Sequence, residues 1–295
     1  MINFIKYRKV YYVFSGILLS LSLIFLLAFG LKPGIDFTGG SIMEVEFQEF
    51  LPSNEVIEKN LADLNLGKIT LQPTGERGMI LRLKSIDEAT HQEILKRLGE
   101  VKEHRFEAIG PIIGKELTRK TKIAIILALI SIIAYIAFAF RKLSYPAKSW
   151  QYSIAALIAL FHDLLIPLGV FAILGKFYNV EITIPFIAAL LTVLGYSIND
   201  TVVVFDRIRE NLLKRKFQSF EETINNSLNQ TFVRSINTVL TVLFTLFAIY
   251  FFGGETLKYF SLALIIGIAS GMYSSIFIAS PLMVSWVKWR EGRKR

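Results

Sequence analysis

The stretch VFSGILLSLSLIFLLAFG, residues 13–30, contains no charged side chain. Crossing a bilayer core of about 30 Å takes about 20 apolar helical residues, so this block, extended to Tyr12 and Leu31, predicts a membrane span. Lys6, Arg8 and Lys9 precede it, and Ala28 and Gly30 give a small-x-small site, which together outline a signal peptide. The apolar run is too long for a typical signal core, and the span is the better reading. Five further stretches of similar length carry few charges: Ile123 to Phe140, Ser153 to Leu174, Ile182 to Phe205, Phe232 to Phe252, and Leu257 to Val287. The last is long enough to tilt or to continue past the lipid. Composition agrees, because 53% of the 295 residues are hydrophobic and 19% charged, against about 45–50% and about 25% in soluble domains. Soluble, fibrous and disordered classes are excluded. Cysteine is absent, which excludes disulfides, a thiolate nucleophile and Cys-based metal sites.

Between the first two spans lies a polar segment, Lys32 to Lys122, with a different pattern. Residues 42–47 alternate as a strand, Asn54 to Leu64 reads helical, and Ile69 to Gln72 and Met79 to Leu83 read as strands around Gly75 and Gly78. Asp87 to Leu98 carries apolar residues at helical spacing, and Arg105 to Ile109 gives a last short strand. That order, β-α-β-β-α-β, predicts a small ferredoxin-like α/β domain. The expected class is an α-helical polytopic membrane protein of six transmembrane helices with this one extracytoplasmic domain. The parts are residues 1–31 (N-terminus and first helix), 32–122 (periplasmic domain), 123–287 (five-helix remainder) and 288–295 (basic cytoplasmic tail).

Lys and Arg in the connections orient the chain. The N-terminus carries three, Arg141 to Gln151 three, Asp206 to Thr231 with Arg234 six, and Lys288 to Arg295 five, whereas Gly175 to Glu181 and Gly253 to Lys258 carry one each. Both termini are therefore expected in the cytoplasm, with the folded domain outside. The net charge of +9 then reflects topology and attraction to membrane lipids rather than nucleic acid.

Ionisable groups inside spans cost on the order of 2.5 to 3.5 kcal/mol each on insertion scales, so each asks for an explanation. His162 and Asp163 fall in the middle of the third span, Asp200 follows Asn199 near the cytoplasmic end of the fourth, and Arg234 opens the fifth. A carboxylate in a low-dielectric bundle beside a cation can gain and lose a proton. Asp200 and Arg234 share the cytoplasmic half, and a long arginine can bridge the remaining depth. Two readings are open: a protonation-switched pair whose release repacks the two helices, and a static pair with Arg234 snorkelling to the headgroups. For His162 and Asp163 the readings are a proton relay or a packing histidine. Adjacent helical residues point about 100° apart and cannot chelate one ion together. Ser197, Asn199, Thr201, Asn237, Thr238 and Thr241 can bond between helices, Asp206 sits in a charged helix end, and Gly267 with Gly271 allows close packing.

After the first helix the chain reads Gly34-Ile-Asp-Phe-Thr-Gly-Gly-Ser41, with Asp36, Phe37, Thr38, Gly39 and Gly40 at its centre. Paired glycines suit a rigid turn, and the stretch lacks the lysine of a phosphate loop. No phosphate-loop or H-E-x-x-H motif occurs, and the histidines are His91, His104 and His162. No catalytic site, metal or cofactor is expected, and any energy must come from a gradient or a partner.

Together these stretches, with Gly195-Tyr-Ser-Ile-Asn-Asp-Thr-Val-Val-Val-Phe-Asp-Arg-Ile-Arg-Glu-Asn211, His162-Asp163 and Phe252-Gly-Gly254, resemble the SecD/SecF family of bacterial protein-export membrane proteins over nearly the whole chain. The small external domain and first motif resemble the SecF branch of that family rather than the SecD branch. The resemblance implies a half-unit of resistance-nodulation-division architecture that pairs with SecD and associates with the SecYEG channel and YajC. It implies that H⁺ or Na⁺ flux draws unfolded preprotein outward after the SecA motor, with ion coupling at Asp200 and Arg234. After Arg234 the chain reads Ser-Ile-Asn-Thr-Val-Leu-Thr-Val, sparser in hydroxyls than the family pattern, although Thr238 and Thr241 remain. The rivals are a gradient-driven small-molecule or lipid transporter half-unit of the same architecture, an intramembrane aspartyl protease using Asp163 and Asp200, and a purely structural subunit.

Overall fold

The computed structural model describes residues 1–139, 147–214 and 217–293. Phe140, Arg141, Lys142, Arg215, Lys216, Lys294 and Arg295, counted above in the second span and the basic connections, lie outside the described residues. The chain divides into two compact units, Met1–Lys32 with Ala124–Arg295, and Pro33–Ile123.

In the membrane unit, α1 is Arg8–Phe29 after a 3-10 turn at Ile5–Tyr7. In the other unit, α2 is Ile35–Thr38, α3 is Asn54–Leu61 and α4 is Glu88–Leu98, with strands β1 (Gly40–Phe47), β2 (Thr70–Thr74), β3 (Gly78–Leu83) and β4 (Val101–Ile109). α5, Pro111–Ala139, runs across the unit boundary; then come α6 (Ser149–Tyr178), α7 (Ile184–Leu213), α8 (Phe220–Phe252), α9 (Glu255–Ser274), a π-helical turn at Ser275–Ala279, and α10 (Ser280–Gly292). Six of these helical runs are long and apolar enough to cross a membrane, and the chain is a multi-pass membrane protein.

The helices outrun the apolar blocks that announce them. α8 begins at Phe220, well before the apolar run at Phe232, because its first turn is capped. Ser219 Oγ accepts from the Glu222 amide at 3.1 Å, and the Glu222 carboxylate accepts from the Gln218 amide at 3.2 Å. Those two bonds satisfy amides that the helix start leaves open, so the polar segment through Thr231 stays helical.

α6, α7 and the α9–α10 run are the buried members; α1, α5 and α8 lie outside them. Gly169 lets α1 and α6 approach closely, since a Cβ there would stand 2.5 Å from Ser22 Cα. Gly267 meets Val193, and Gly271 meets Ser197 Cβ at 3.0 Å, which presses α9 onto α7. Two apolar clusters result. One gathers Tyr152, Phe205, Ile208, Leu228 and Met283; the other gathers Phe171, Phe186, Val193, Leu246 and Ile268. Set into these clusters on the three buried helices are His162, Asp163, Ser197, Thr201, Ser274 and Ser275, all buried.

The second unit is a four-stranded antiparallel sheet of order β2-β3-β1-β4, the ferredoxin-like arrangement. Its core joins Met43, Val45, Met79 and Leu81 to Ile57, Leu61 and Ile94 of the two helices. β4 starts at Val101, four residues before the strand expected at Arg105. The pairing slips at Glu44/Val45, where Arg105 faces Glu44 and Glu103 faces Val45, leaving His104 as an extra residue. That bulge breaks the alternation by which a strand is read.

Two outcomes are expected. Gly169→Ala forces α1 off α6 at a cost of about 1–3 kcal/mol, lowering the thermal midpoint in detergent, whereas Gly16→Ala, with open space around it, leaves it unchanged. Asp87 caps α4 by accepting from Thr90, which holds its carboxyl below the usual 3.8. A depressed pKa adds stability that is complete above the unfolded value and lost as pH falls through the native one. Asp87→Asn therefore speeds amide exchange at Thr90 at neutral pH, and the difference from wild type vanishes in acid.

Candidate functional site

The polar layer is built by three helices. Asp163 of α6 is fully buried. Its Oδ2 accepts from Ser197 Oγ of α7 at 2.5 Å and from Ser274 Oγ of α9 at 2.7 Å. Its Oδ1 lies 3.0 Å from His162 Nδ1. One side chain thus satisfies donors from two neighbouring helices, as a buried carboxyl must. The neighbouring ring does reach the carboxyl, although the two Cα–Cβ directions diverge. His162 Nε2 is buried with no hydrogen-bond partner among the described residues, and the ring lies against Tyr273, centroids 5.8 Å apart. Pro167 sits one turn beyond Asp163 inside α6 and lacks the N–H that would bond the Asp163 carbonyl.

One turn along α7, Thr201 Oγ1 and Ser275 Oγ are 2.8 Å apart. Ser274 and Ser275 flank the start of the π turn, whose wide winding closes through Ser280 Oγ donating to the Ser275 carbonyl at 3.1 Å. A π turn inside a helix costs regular hydrogen bonding and marks a place where winding can change.

Asp200 lies at the α7–α8 contact, half-buried, with Oδ1 accepting from Ser235 Oγ at 2.7 Å and the Ser275 hydroxyl of the π turn also within interacting range of the carboxyl; its buried Oδ2 has no hydrogen bond of regular geometry among the described residues. Arg234, next to Ser235, is exposed and makes no ion pair with Asp200. The structure therefore joins Asp200 to Ser235. The signal for Ser235 was its phase: Leu228, Thr231, Ser235 and Val239 form the buried stripe of α8. Asn199 is exposed. Thr238 donates to the Arg234 carbonyl at 2.9 Å and Thr241 to the Thr238 carbonyl at 2.8 Å, so both hydroxyls are bonded within α8. Asp206 pairs with Arg209 at 2.5 Å on the helix surface.

Within the Gly34–Ser41 motif, Ile35–Thr38 form a single helical turn, and Gly40 and Ser41 begin β1. Thr38 Oγ1 donates to the Gly34 carbonyl at 3.0 Å, and Gly39, at φ 73°, ends the turn. A Cβ on Gly39 would stand 2.9 Å from Pro111 Cα, so the motif holds the start of α5. The Phe37 carbonyl and Thr118 Oγ1 are 3.5 Å apart on the same side. Arg105, clamped by both oxygens of Glu107 at 2.8 Å, has its pKa raised first by that bond and further by the charges of Glu44 and Asp36. Gly40 opens β1 at φ 143°. Among the described residues no three His, Asp or Glu side chains gather as a metal site.

Residues 90–289 match the family described as the SecD/SecF protein export membrane protein, C-terminal, and residues 24–49 match the SecD/SecF GG motif. The protein translocase subunit SecF of Thermobaculum terrenum is 47% identical over 97% of this chain and 94% of its own length. The protein translocase subunit SecDF of Bacillus subtilis is 35% identical over 99% of this chain and 39% of its own. The crystal structure of SecDF from Thermus thermophilus superposes with a TM-score of 0.83 at 33% identity, covering 97% of this chain and 38% of that one. The chain thus spans well under half the length of the fused relatives it matches.

Ser197→Ala and Ser274→Ala each leave the buried Asp163 oxygen short of one donor, an expected loss of about 1–3 kcal/mol. Because both hydroxyls bond the same oxygen, their double-mutant cycle in reversible unfolding from mixed micelles is expected to give a coupling of about 0.5–3 kcal/mol. Additive effects contradict the shared-acceptor geometry.

Proposed function

The chain belongs to the SecF branch of the SecD/SecF family, as a protein translocase subunit of the Sec export machinery, and we propose that its α7–α8 face couples an ion gradient to export by pairing with SecD. The observation that carries this reading is what that face exposes. On α7, Thr192, Gly195 and Asn199 follow one another at heptad spacing; on α8, Arg234, Thr238, Thr241 and Thr245 do the same. α1 exposes Val10, Val13, Phe14, Ile17, Ile24 and Leu27 instead. An apolar stripe suits lipid, whereas a stripe holding an arginine and an asparagine in the membrane costs several kcal/mol unless protein covers it. Fused SecDF relatives carry this half together with a second one in a single polypeptide, which supports a SecD partner there.

Asp200 then lies at the seam between the two halves. As an anion its Oδ1 accepts from Ser235; once protonated, its hydroxyl becomes a donor and the contact with α8 can be remade. Arg234 is one residue from Ser235, about 100° around α8, so a rotation of that size, shortened by the reach of the long arginine side chain, exchanges the two partners of Asp200. The Asp163 layer keeps α7 and α9 on α6 while α8, the less buried helix, moves. Both termini face the cytoplasm and the ferredoxin-like domain lies outside, where it meets unfolded preprotein leaving the SecYEG channel, with YajC as a further partner. One elementary charge crossing the membrane is worth about 2.3 kcal/mol per 100 mV, enough to bias a domain equilibrium and hold a segment against backsliding.

The test is export of a preprotein arrested midway in inverted membrane vesicles. With an imposed proton gradient, wild type is expected to speed up and Asp200→Asn, at equal assembly, is not. Equal acceleration of both sinks the assignment of Asp200 as the coupling group.

A further inference from the structure

Residues 1–4 precede the first helical turn, and α8 grips their backbone. The Ile2 amide donates to Asn229 Oδ1 at 2.9 Å, and the Ile2 carbonyl accepts from Asn229 Nδ2 at 2.8 Å and from Asn225 Nδ2 at 3.2 Å. The Ile5 amide donates to Asn225 Oδ1 at 3.4 Å. Residues four apart share one face of a helix, and here two asparagine amides supply the partners that an irregular backbone lacks. Arg8 adds a tie at the base, donating to the Ile5 carbonyl and to Glu221 Oε1, both at 3.0 Å.

From this anchored segment two side chains enter the bundle, Phe4 and Ile5, both buried. The Phe4 ring packs against Phe232 of α8 and Phe277 of the π turn, with centroids 5.1 and 5.9 Å away, ordinary separations for aromatic pairs. Tyr11 of α1 meets the same Phe277 edge-on at 4.7 Å. Phe232 stands three residues before Ser235, so the two are neighbours on α8, and Phe277 follows Ser275 by two residues. Those two serines are the hydroxyls that face Asp200. The segments that carry the partners of Asp200 therefore meet at one ring. They are also the parts of the bundle freest to move, because α8 is one of the less buried helices and π winding is adjustable.

We propose that Phe4 is a positioning residue for Asp200: held to α8 through Asn225 and Asn229, it keeps the Ser235 and Ser275 hydroxyls in step, so that a movement of α8 reaches the π turn. A ring bonded by its backbone to one part and packed against the other passes displacement on, because a close-packed interior has no slack to absorb it. Asp200 senses the result, since hydrogen bonds to a carboxylate favour its charged form and their loss changes its titration. The proposal rests on the reading of Asp200 as the coupling group.

The experiment uses the full chain in its assembled membrane complex and reads two quantities: the ratio of export with and without an imposed proton gradient, and the midpoint of the pH profile of the gradient-driven part. Phe4→Ala is expected to lower the ratio by about threefold or more and to move the midpoint in the same direction as Ser235→Ala. Phe4→Leu, which keeps most of the apolar volume, restores at least half of the ratio. Asn229→Ala, at a half-exposed position with Phe4 intact, also lowers the ratio and decides the matter if Phe4→Ala does not assemble. A wild-type ratio in Phe4→Ala or in Asn229→Ala overturns the proposal. So does a lowered ratio with the midpoint in place, which marks Phe4 as packing alone. If Asp200→Asn keeps the wild-type ratio, the coupling reading fails and the proposal with it; if Asp200→Asn loses the response and Phe4→Ala keeps it, the proposal alone fails.

Discussion

A carboxyl group at the centre of a membrane bundle must be satisfied by protein, and Asp163 is the point where this chain meets that demand. Three helices converge on it because Ser197 and Ser274 have nowhere else to donate so well. The demand fixes the rotation of α7 and α9 about their axes, since a turn of one residue carries either serine away by about 100°. Gly271 beside Ser197 supplies the close approach that the short serine side chains require. The apolar clusters on either side then exclude water, which makes the few polar contacts strong and their loss costly.

Asp200 differs from Asp163 in one respect that matters for function. Asp163 has short bonds on both oxygens; Asp200 has one short bond, to Ser235, and, among the described residues, a looser contact with Ser275, at the half-buried outer side of α7. The first arrangement suits a fixed structural group and the second a group whose partners change. The π turn between α9 and α10 begins where Ser274 and Ser275 bond these layers, so a change at the α7 surface has a wound segment of adjustable geometry beside it.

Much of this was legible in the residues alone. Runs such as residues 13–30 announce spans because a bilayer tolerates nothing else of that length, and the β-α-β-β-α-β order follows from alternation and helical spacing. The bulge at His104 was not legible, because an inserted residue destroys the alternation that would reveal it. Nor was the polar start of α8, where caps act together with a thin apolar face of Phe220, Ile224 and Leu228 set among polar residues. Asp200 stands out as a charge in an apolar run, yet its partner does not. Charge singles out Arg234, while helical phase puts Ser235 toward α7, and at this distance phase decides. Asn211, 1% exposed, was hidden for a similar reason: an amide near a helix end looks solvated until α8 closes over it with Ser227 and Gln230.

The central claim is that Asp200 is a titrating group at the seam between this chain and its partner. Infrared difference spectroscopy of the assembled complex, with aspartate isotopically labelled and the pH stepped, observes that proton directly. A labelled carboxylic C=O band that grows as pH falls and is missing in Asp200→Asn is the expected result. Identical carboxyl bands in wild type and Asp200→Asn contradict the account.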